Sequence, residues 1–153
     1  MAQQVQLAQA AKGPGLRVIL LTHHDGIDVD TRLQETNVKL LWNQIITRLD
    51  GKGPDFWYWG HVHAAMAYMP IPSDTGSVIA RCVGHGGIPW LPFKTIVGLG
   101  NNTDVRFEWA ETTYDPSDPS RALNGFVLLT FNGTQLIEEF RDEYGNLRHS
   151  HTF

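Results

Sequence analysis

The chain has 153 residues, 42% of them hydrophobic and 18% charged, which suits a single globular domain with its own core and excludes a disordered chain. A net charge of -4 excludes a general attraction to nucleic acid or anionic lipid, whose binding needs clustered Lys and Arg. Cys82 is the only cysteine, so no internal disulfide forms, and no apolar run approaches the ~20 residues of a membrane span. Since the start of the chain also lacks signal-peptide character, we expect one cytoplasmic domain over residues 1–153.

The first half of the chain predicts a β-α-β unit. Arg17 to Leu21 is apolar on both faces, which indicates a strand buried inside a sheet. An apolar stripe that ends at Leu49 predicts a helix, and Asp55 to Trp59 is a strand with aromatic residues on both faces. Strand, helix and strand in this order make two parallel strands that lie side by side or nearly so, and the sequence therefore predicts the α/β fold class.

The second half of the chain predicts short antiparallel strands. Val78 to Val83 and Val105 to Thr112 are typical of strands. Phe126 to Phe131 and Gln135 to Arg141 predict a hairpin, and Asn132-Gly133 between them is a signal for a type I′ turn. Tyr144-Gly145-Asn146 then leads into a last strand.

Histidines follow both strands of the β-α-β unit, and we predict that His23, His61 and His63 bind metal. The carboxyl ends of parallel strands meet at one edge of a sheet, which brings His23 near the other two. On an extended backbone residues two apart face the same side, so His61 and His63 in Gly-His-x-His can serve one ion or two neighbouring ions. The same alternation predicts that His24 points away. Gathered neutral imidazoles are typical ligands of a borderline metal.

Other polar residues have plainer explanations. His85 lies among glycines that either let backbone approach a ligand or form a tight turn. Asp25, Asp28 and Asp30, which follow His24, could be metal ligands, but we expect them in a loop and a helix cap. Cys82 is expected to be a small buried hydrophobe. We also expect solvated or paired side chains at Arg81 and Arg106, although either could meet a phosphate, and solvated ones at His149 and His151 in the C-terminal tail.

The series VILLTHH, WYWGHVH and CVGHGGIPW, followed by a β-rich end, resembles the C-terminal half of the calcineurin-like metallophosphoesterases. The resemblance implies part of a two-sheet α/β sandwich. It also implies hydrolysis of a phosphate mono- or diester by a metal-bound hydroxide, at two ions of manganese, iron or zinc. By resemblance His23 and His61 would bind one ion and His63 the other.

The chain departs from that family where the remaining ligands should be. Members supply a bridging aspartate, further ligands and an asparagine-histidine pair from an N-terminal half, and no Asp-x-His or Gly-Asn-His occurs here. Without a bridging carboxylate, two divalent ions would repel each other. We therefore interpret the chain as the C-terminal portion of such an enzyme, from a truncated protein, a cleaved product or a split gene. We expect its catalytic residues in the absent half, at most one weakly held metal, and little or no turnover.

Two alternatives stay open. One is a self-sufficient zinc hydrolase in which His23, His61 and His63 hold a single ion. The other is a non-catalytic interaction module that keeps a degenerate metal site and binds a partner, or the missing N-terminal half, through an exposed sheet edge. The sequence does not name the phosphate-ester substrate.

Overall fold

Two β-sheets and the helix α1 make up the part of the chain that the computed structural model describes, which is residues 6–7, 15–27, 36–88, 92 and 107–153. The six-stranded sheet contains β1 (Ile19–Thr22), β2 (Phe56–Trp59), β3 (Ala65–Tyr68), β4 (Ile71–Pro72), β5 (Ser77–Val83) and β6 (Phe107–Ala110). The three-stranded sheet contains β7 (Gly125–Asn132), β8 (Gln135–Asp142) and β9 (Leu147–Thr152), and α1 spans Thr36–Arg48. The predictions for Asp28, Asp30 and Arg106 lie outside the described residues. Within them, no helix is long and apolar enough to cross a membrane.

The β-α-β unit forms as predicted, with β1 and β2 parallel and directly paired from Ile19 opposite Phe56 to Thr22 opposite Trp59. Strand β5 pairs with the other side of β2 and is also parallel to it. The prediction that everything after the first unit is antiparallel is therefore wrong for β5. Strands β3, β4 and β6 are antiparallel to their neighbours, so the first sheet is mixed.

Among the described strands, β1 lies at an edge of the sheet, whereas its apolar sequence predicts a position inside the sheet. Within that set it pairs with β2 alone, and Leu21 is 71% exposed. Ile19 and Leu20, by contrast, pack against the cores on the two faces of the sheet. Strand β2, with its aromatic residues on both faces, lies between β1 and β5 and is buried throughout.

The two faces of the six-stranded sheet bury alternate residues of β2, as the period of two in a strand requires. Trp57 and Trp59 face the helix, where Ile45, Ile46 and Leu49 cover them. On the opposite face, Phe56 and Tyr58 pack with Leu136 of β8, while Ala65 and Ala67 pack with Phe140. The layers are helix, mixed sheet and antiparallel sheet, which confirms the predicted α/β class and the two-sheet arrangement.

A charged network crosses the buried interface between the sheets. Nε of Arg81 donates to Oε1 of Glu138 at 2.7 Å, and the Tyr58 hydroxyl donates to the other oxygen of that carboxylate at 2.5 Å. Arg81 is 1% exposed and Glu138 is fully buried. Burial first, and the neighbouring Glu138 charge second, raise the pKa of Tyr58. Arg81 is thus a paired structural residue of the interior.

The prediction of a terminal tail at His149 and His151 is wrong, because both lie in β9, paired with β8, although the His151 side chain is 40% exposed. The His149 ring stacks on Trp109 with a centroid distance of 5.2 Å, and burial lowers the pKa of this histidine. Nδ1 of His151 lies 2.9 Å from Oε1 of Glu108. These two histidines help to join β9 to β6.

The hairpin of β7 and β8 forms as predicted, but its turn is one residue further along. Asn132 pairs with Gln135, so the two turn residues are Gly133 and Thr134. Gly133 has φ +59, and Thr134 is not among the residues with positive φ. Positive φ at the first turn residue alone fits type II′ and not type I′.

Candidate metal centre

Two strand ends bring histidines together at one edge of the mixed sheet. Thr22 and Trp59 are the last residues of β1 and β2, and they are partners in the parallel register. His23 follows Thr22 directly, and His61 follows Trp59 after one glycine. As a result, Nδ1 of His61 lies 3.3 Å from Nε2 of His23.

His24 completes a group of three imidazoles. One ring nitrogen from each of His23, His24 and His61 lies within 4.8 Å of the others, and all three residues are exposed. The ring centroids are 5.0 Å apart for His23 and His24, 5.1 Å for His23 and His61, and 4.7 Å for His24 and His61. The expectation that His24 points away is therefore wrong.

The bend after β1 explains why His24 joins the group. The Thr22 hydroxyl donates to the carbonyl of His24 at 2.7 Å and accepts a hydrogen bond from the Trp57 indole at 2.8 Å. The strand ends at Thr22, so the alternation of side chains no longer applies to the two histidines that follow. A threonine side chain at a strand end can bend the chain back by bonding to a nearby backbone group. Thr22, directly before the two histidines, is therefore the sequence feature from which the direction of His24 could be predicted.

His63 does not belong to this group. Strand β2 ends at Trp59, and His61 has φ +55, in the left-handed region. The chain between the two histidines is bent instead of extended, which removes the basis for placing both side chains on one side. His63 is exposed in the same loop, and its role as a metal ligand stays a prediction.

The other candidates on this edge are buried. Asp25 is 6% exposed, and it is not among the described residues that gather as possible ligands. His85, two residues after β5, is 4% exposed, and its Nδ1 has no hydrogen-bond partner. Burial lowers the pKa of His85 to about 4, against an opposing effect of Glu111. A Cβ at Gly125 would lie 2.6 Å from Nε2 of His85. The backbone that comes close to the His85 ring is therefore that of Gly125, a residue of this chain.

Three neutral imidazoles suit one borderline ion such as zinc, which takes three or four nitrogen or sulfur ligands in proteins. Their exposure leaves room for water or a substrate oxygen at a further position. No carboxylate belongs to the group within the part of the chain that the structure describes. Two ions held close together there would repel each other without compensation, so the donor set fits one ion.

Comparisons with known proteins add a likeness of fold. No family model matches the sequence, and neither does any curated protein. Among solved structures, the chain is similar to a purple acid phosphatase isolated from yellow lupin (Lupinus luteus) seeds, with a TM-score of 0.51 and 16% sequence identity. The match covers 99% of this chain and 27% of the phosphatase chain. At this identity the likeness shows the fold alone, and that fold agrees with the resemblance to metallophosphoesterases.

Proposed function

We propose that this chain binds one divalent metal ion through His23, His24 and His61 and serves as the metal-holding portion of a phosphoesterase. The observation that carries the proposal is the convergence of three exposed imidazoles from the ends of two parallel strands, with 3.3 Å between Nδ1 of His61 and Nε2 of His23. Open α/β sheets bind their ligands at this edge.

The phosphoesterase part of the proposal rests on the fold and on the donor set together. The fold is similar to that of a purple acid phosphatase. A bound divalent ion would supply Lewis acidity toward a phosphoryl oxygen and would lower the pKa of water. The residues of this chain hold and orient that ion, and the described group offers no carboxylate to balance a second one. We therefore expect little or no turnover from the chain alone.

The edge strand β1 supports a second element of the proposal, a partner strand that carries carboxylates. The strand has an open edge among the described residues, and from Ile19 to Thr22 it contains neither proline nor charge, the usual protections of an edge. A strand that paired in parallel with β1 would end beside His23 and could place acidic side chains there. Such a partner strand would complete a site for two ions and a phosphate ester.

Metal analysis tests the proposal directly. We expect equilibrium dialysis with zinc, followed by elemental analysis, to find one ion per chain. His61→Ala should lose it, while the matched control His151→Ala, in β9, should retain it. Binding that His61→Ala leaves unchanged would contradict the proposed site.

An activity assay separates the proposal from the self-sufficient zinc hydrolase. With bis(p-nitrophenyl) phosphate and added zinc or manganese, we expect no turnover above background from the chain alone. Metal-dependent turnover that His61→Ala abolishes would favour the single-ion hydrolase instead. Light scattering of the purified chain would show whether it also associates with another copy.

A further inference from the structure

The loop that carries His61, residues 60–64, packs against the C-terminal end of β5, where the Cys82 side chain contacts it. Sγ of Cys82 lies 3.3 Å from the carbonyl oxygens of both Val62 and Ala64, and 3.8 Å from that of Gly60. Cys82 is fully buried. Three alternate carbonyls of one loop thus converge on a single thiol, and they stand on both sides of His61.

Gly84 lets the loop come this close to the strand. A Cβ at Gly84 would overlap the carbonyl oxygen of Val62, which is backbone and cannot rotate away. The amide of Gly84 donates to the carbonyl of Ala64 at 3.0 Å, and the amide of Ala64 donates to the carbonyl of Val62 at 2.7 Å. The loop is therefore attached to β5 by backbone contacts as well as by the thiol.

His61 needs such support because its backbone is unfavourable by itself. It has φ +55, and a left-handed backbone costs a residue with a side chain roughly 1–2 kcal/mol. That same conformation accompanies the approach of the His61 ring to His23. Contacts on both sides of the residue can hold the conformation in place.

We propose that Cys82 is a positioning residue, whose thiol holds the loop of residues 60–64 in the conformation that directs His61 toward His23. The inference rests on the proposed function, because it assigns His61 to the metal. The thiol has one proton, which it can donate to the carbonyl of Val62 or to that of Ala64, both at 3.3 Å. Burial raises the pKa of Cys82 to about 12, so the sulfur keeps its proton across the working pH range.

The test compares substitutions at Cys82 with a matched one elsewhere on β5. Cys82→Ala removes the donor, and Cys82→Ser keeps a donor in the same place. Val78→Ala truncates a fully buried side chain of the same strand and the same core, at a position near the other end of β5. Zinc affinity is measured by competition with a chromophoric chelator, and amide hydrogen exchange of residues 60–64 and 84 is measured on the metal-free protein.

We expect Cys82→Ala to weaken zinc binding about tenfold, as the loss of groups that orient metal ligands does, and to speed exchange at Ala64 and Gly84. Cys82→Ser should restore most of both properties, and Val78→Ala should change neither. If Cys82→Ala does not fold, Cys82→Val, which fills the space without a donor, takes its place.

Unchanged exchange in the variant without a donor, or an equal loss of zinc affinity in Val78→Ala, would overturn the positioning role. Failure of the unmodified chain to bind zinc would refute the proposed function alone. In that case the exchange of the loop amides still decides the inference about Cys82.

Discussion

Removal of Glu138 from the interface between the sheets should be among the most destabilising single changes in the chain. The substitution Glu138→Leu puts an apolar side chain of similar size in place of the carboxylate and leaves the Arg81 guanidinium without its 2.7 Å partner. It also deprives the Tyr58 hydroxyl of its acceptor. The remaining carboxylate near Arg81 is that of Glu108, at 3.5 Å and partly exposed.

The expected loss follows from the burial of the pair. Arg81 and Glu138 have side chains that are 1% and 0% exposed. Breaking a buried pair by removing one member costs about 3–5 kcal/mol, because the other charge stays buried and uncompensated. Arg81→Met should cost a similar amount for the same reason. The triple variant Arg81→Met, Glu138→Leu and Tyr58→Phe should recover much of this loss, since no buried charge is left without its partner and only the carbonyls of Tyr68 and Ala80 lose a donor.

Urea unfolding followed by tryptophan fluorescence measures these free energies of unfolding, and the five tryptophans give a strong signal. A loss below about 1 kcal/mol for each single variant would refute the argument, because that is the behaviour of an exposed ion pair. A triple variant as unstable as the two single losses added together would also refute it. In that case the three groups would not act as one network.

Two further predictions concern the buried histidine and the hairpin turn. Burial lowers the pKa of His85 to about 4, so burying this histidine in its neutral form costs no stability above the ordinary pKa of 6.5. The free energy of unfolding should fall as the pH drops from 6.5 toward 4, because the unfolded chain then binds a proton that the folded protein does not. In metal-free protein His85→Gln should remove about 3 kcal/mol of that pH dependence, and an unchanged pH profile would contradict the burial of the ring. Gly133 has φ +59 at the first position of the turn, so Gly133→Ala should cost about 1–2 kcal/mol, as thermal unfolding can show. An unchanged melting temperature would argue against a positive φ there.

The parts of the fold that depend on local pattern could be predicted from the sequence. The apolar stripe that ends at Leu49 and the aromatic strand at Phe56–Trp59 both form where their periodicity predicts. Which strands pair with each other does not depend on local sequence, however. Strand β5 pairs in parallel with β2 because of contacts distant in sequence, and β9 is ordered by β8 and by Trp109.

The candidate site shows the same division. His23 and His61 could be placed together because parallel strands end at one edge, and they do lie together. His24 was missed because its direction depends on where β1 stops, and that depends on Thr22 meeting Trp57, 35 residues away in sequence. The loop that contains the bend at His61 likewise contacts Cys82 in β5 and Gly84 just after it, about 20 residues further along the chain.

The central claim is that the metal ligands are His23, His24 and His61, and a matched pair of variants tests it most directly. His24→Ala and His63→Ala each remove one exposed imidazole close to the site, so any general effect of losing a histidine is shared. Zinc affinity is measured for both by chelator competition. We predict that His24→Ala weakens binding by at least about tenfold, since losing groups that merely orient ligands already costs that much, and that His63→Ala leaves it unchanged. Loss of affinity in His63→Ala with full affinity in His24→Ala would contradict the account.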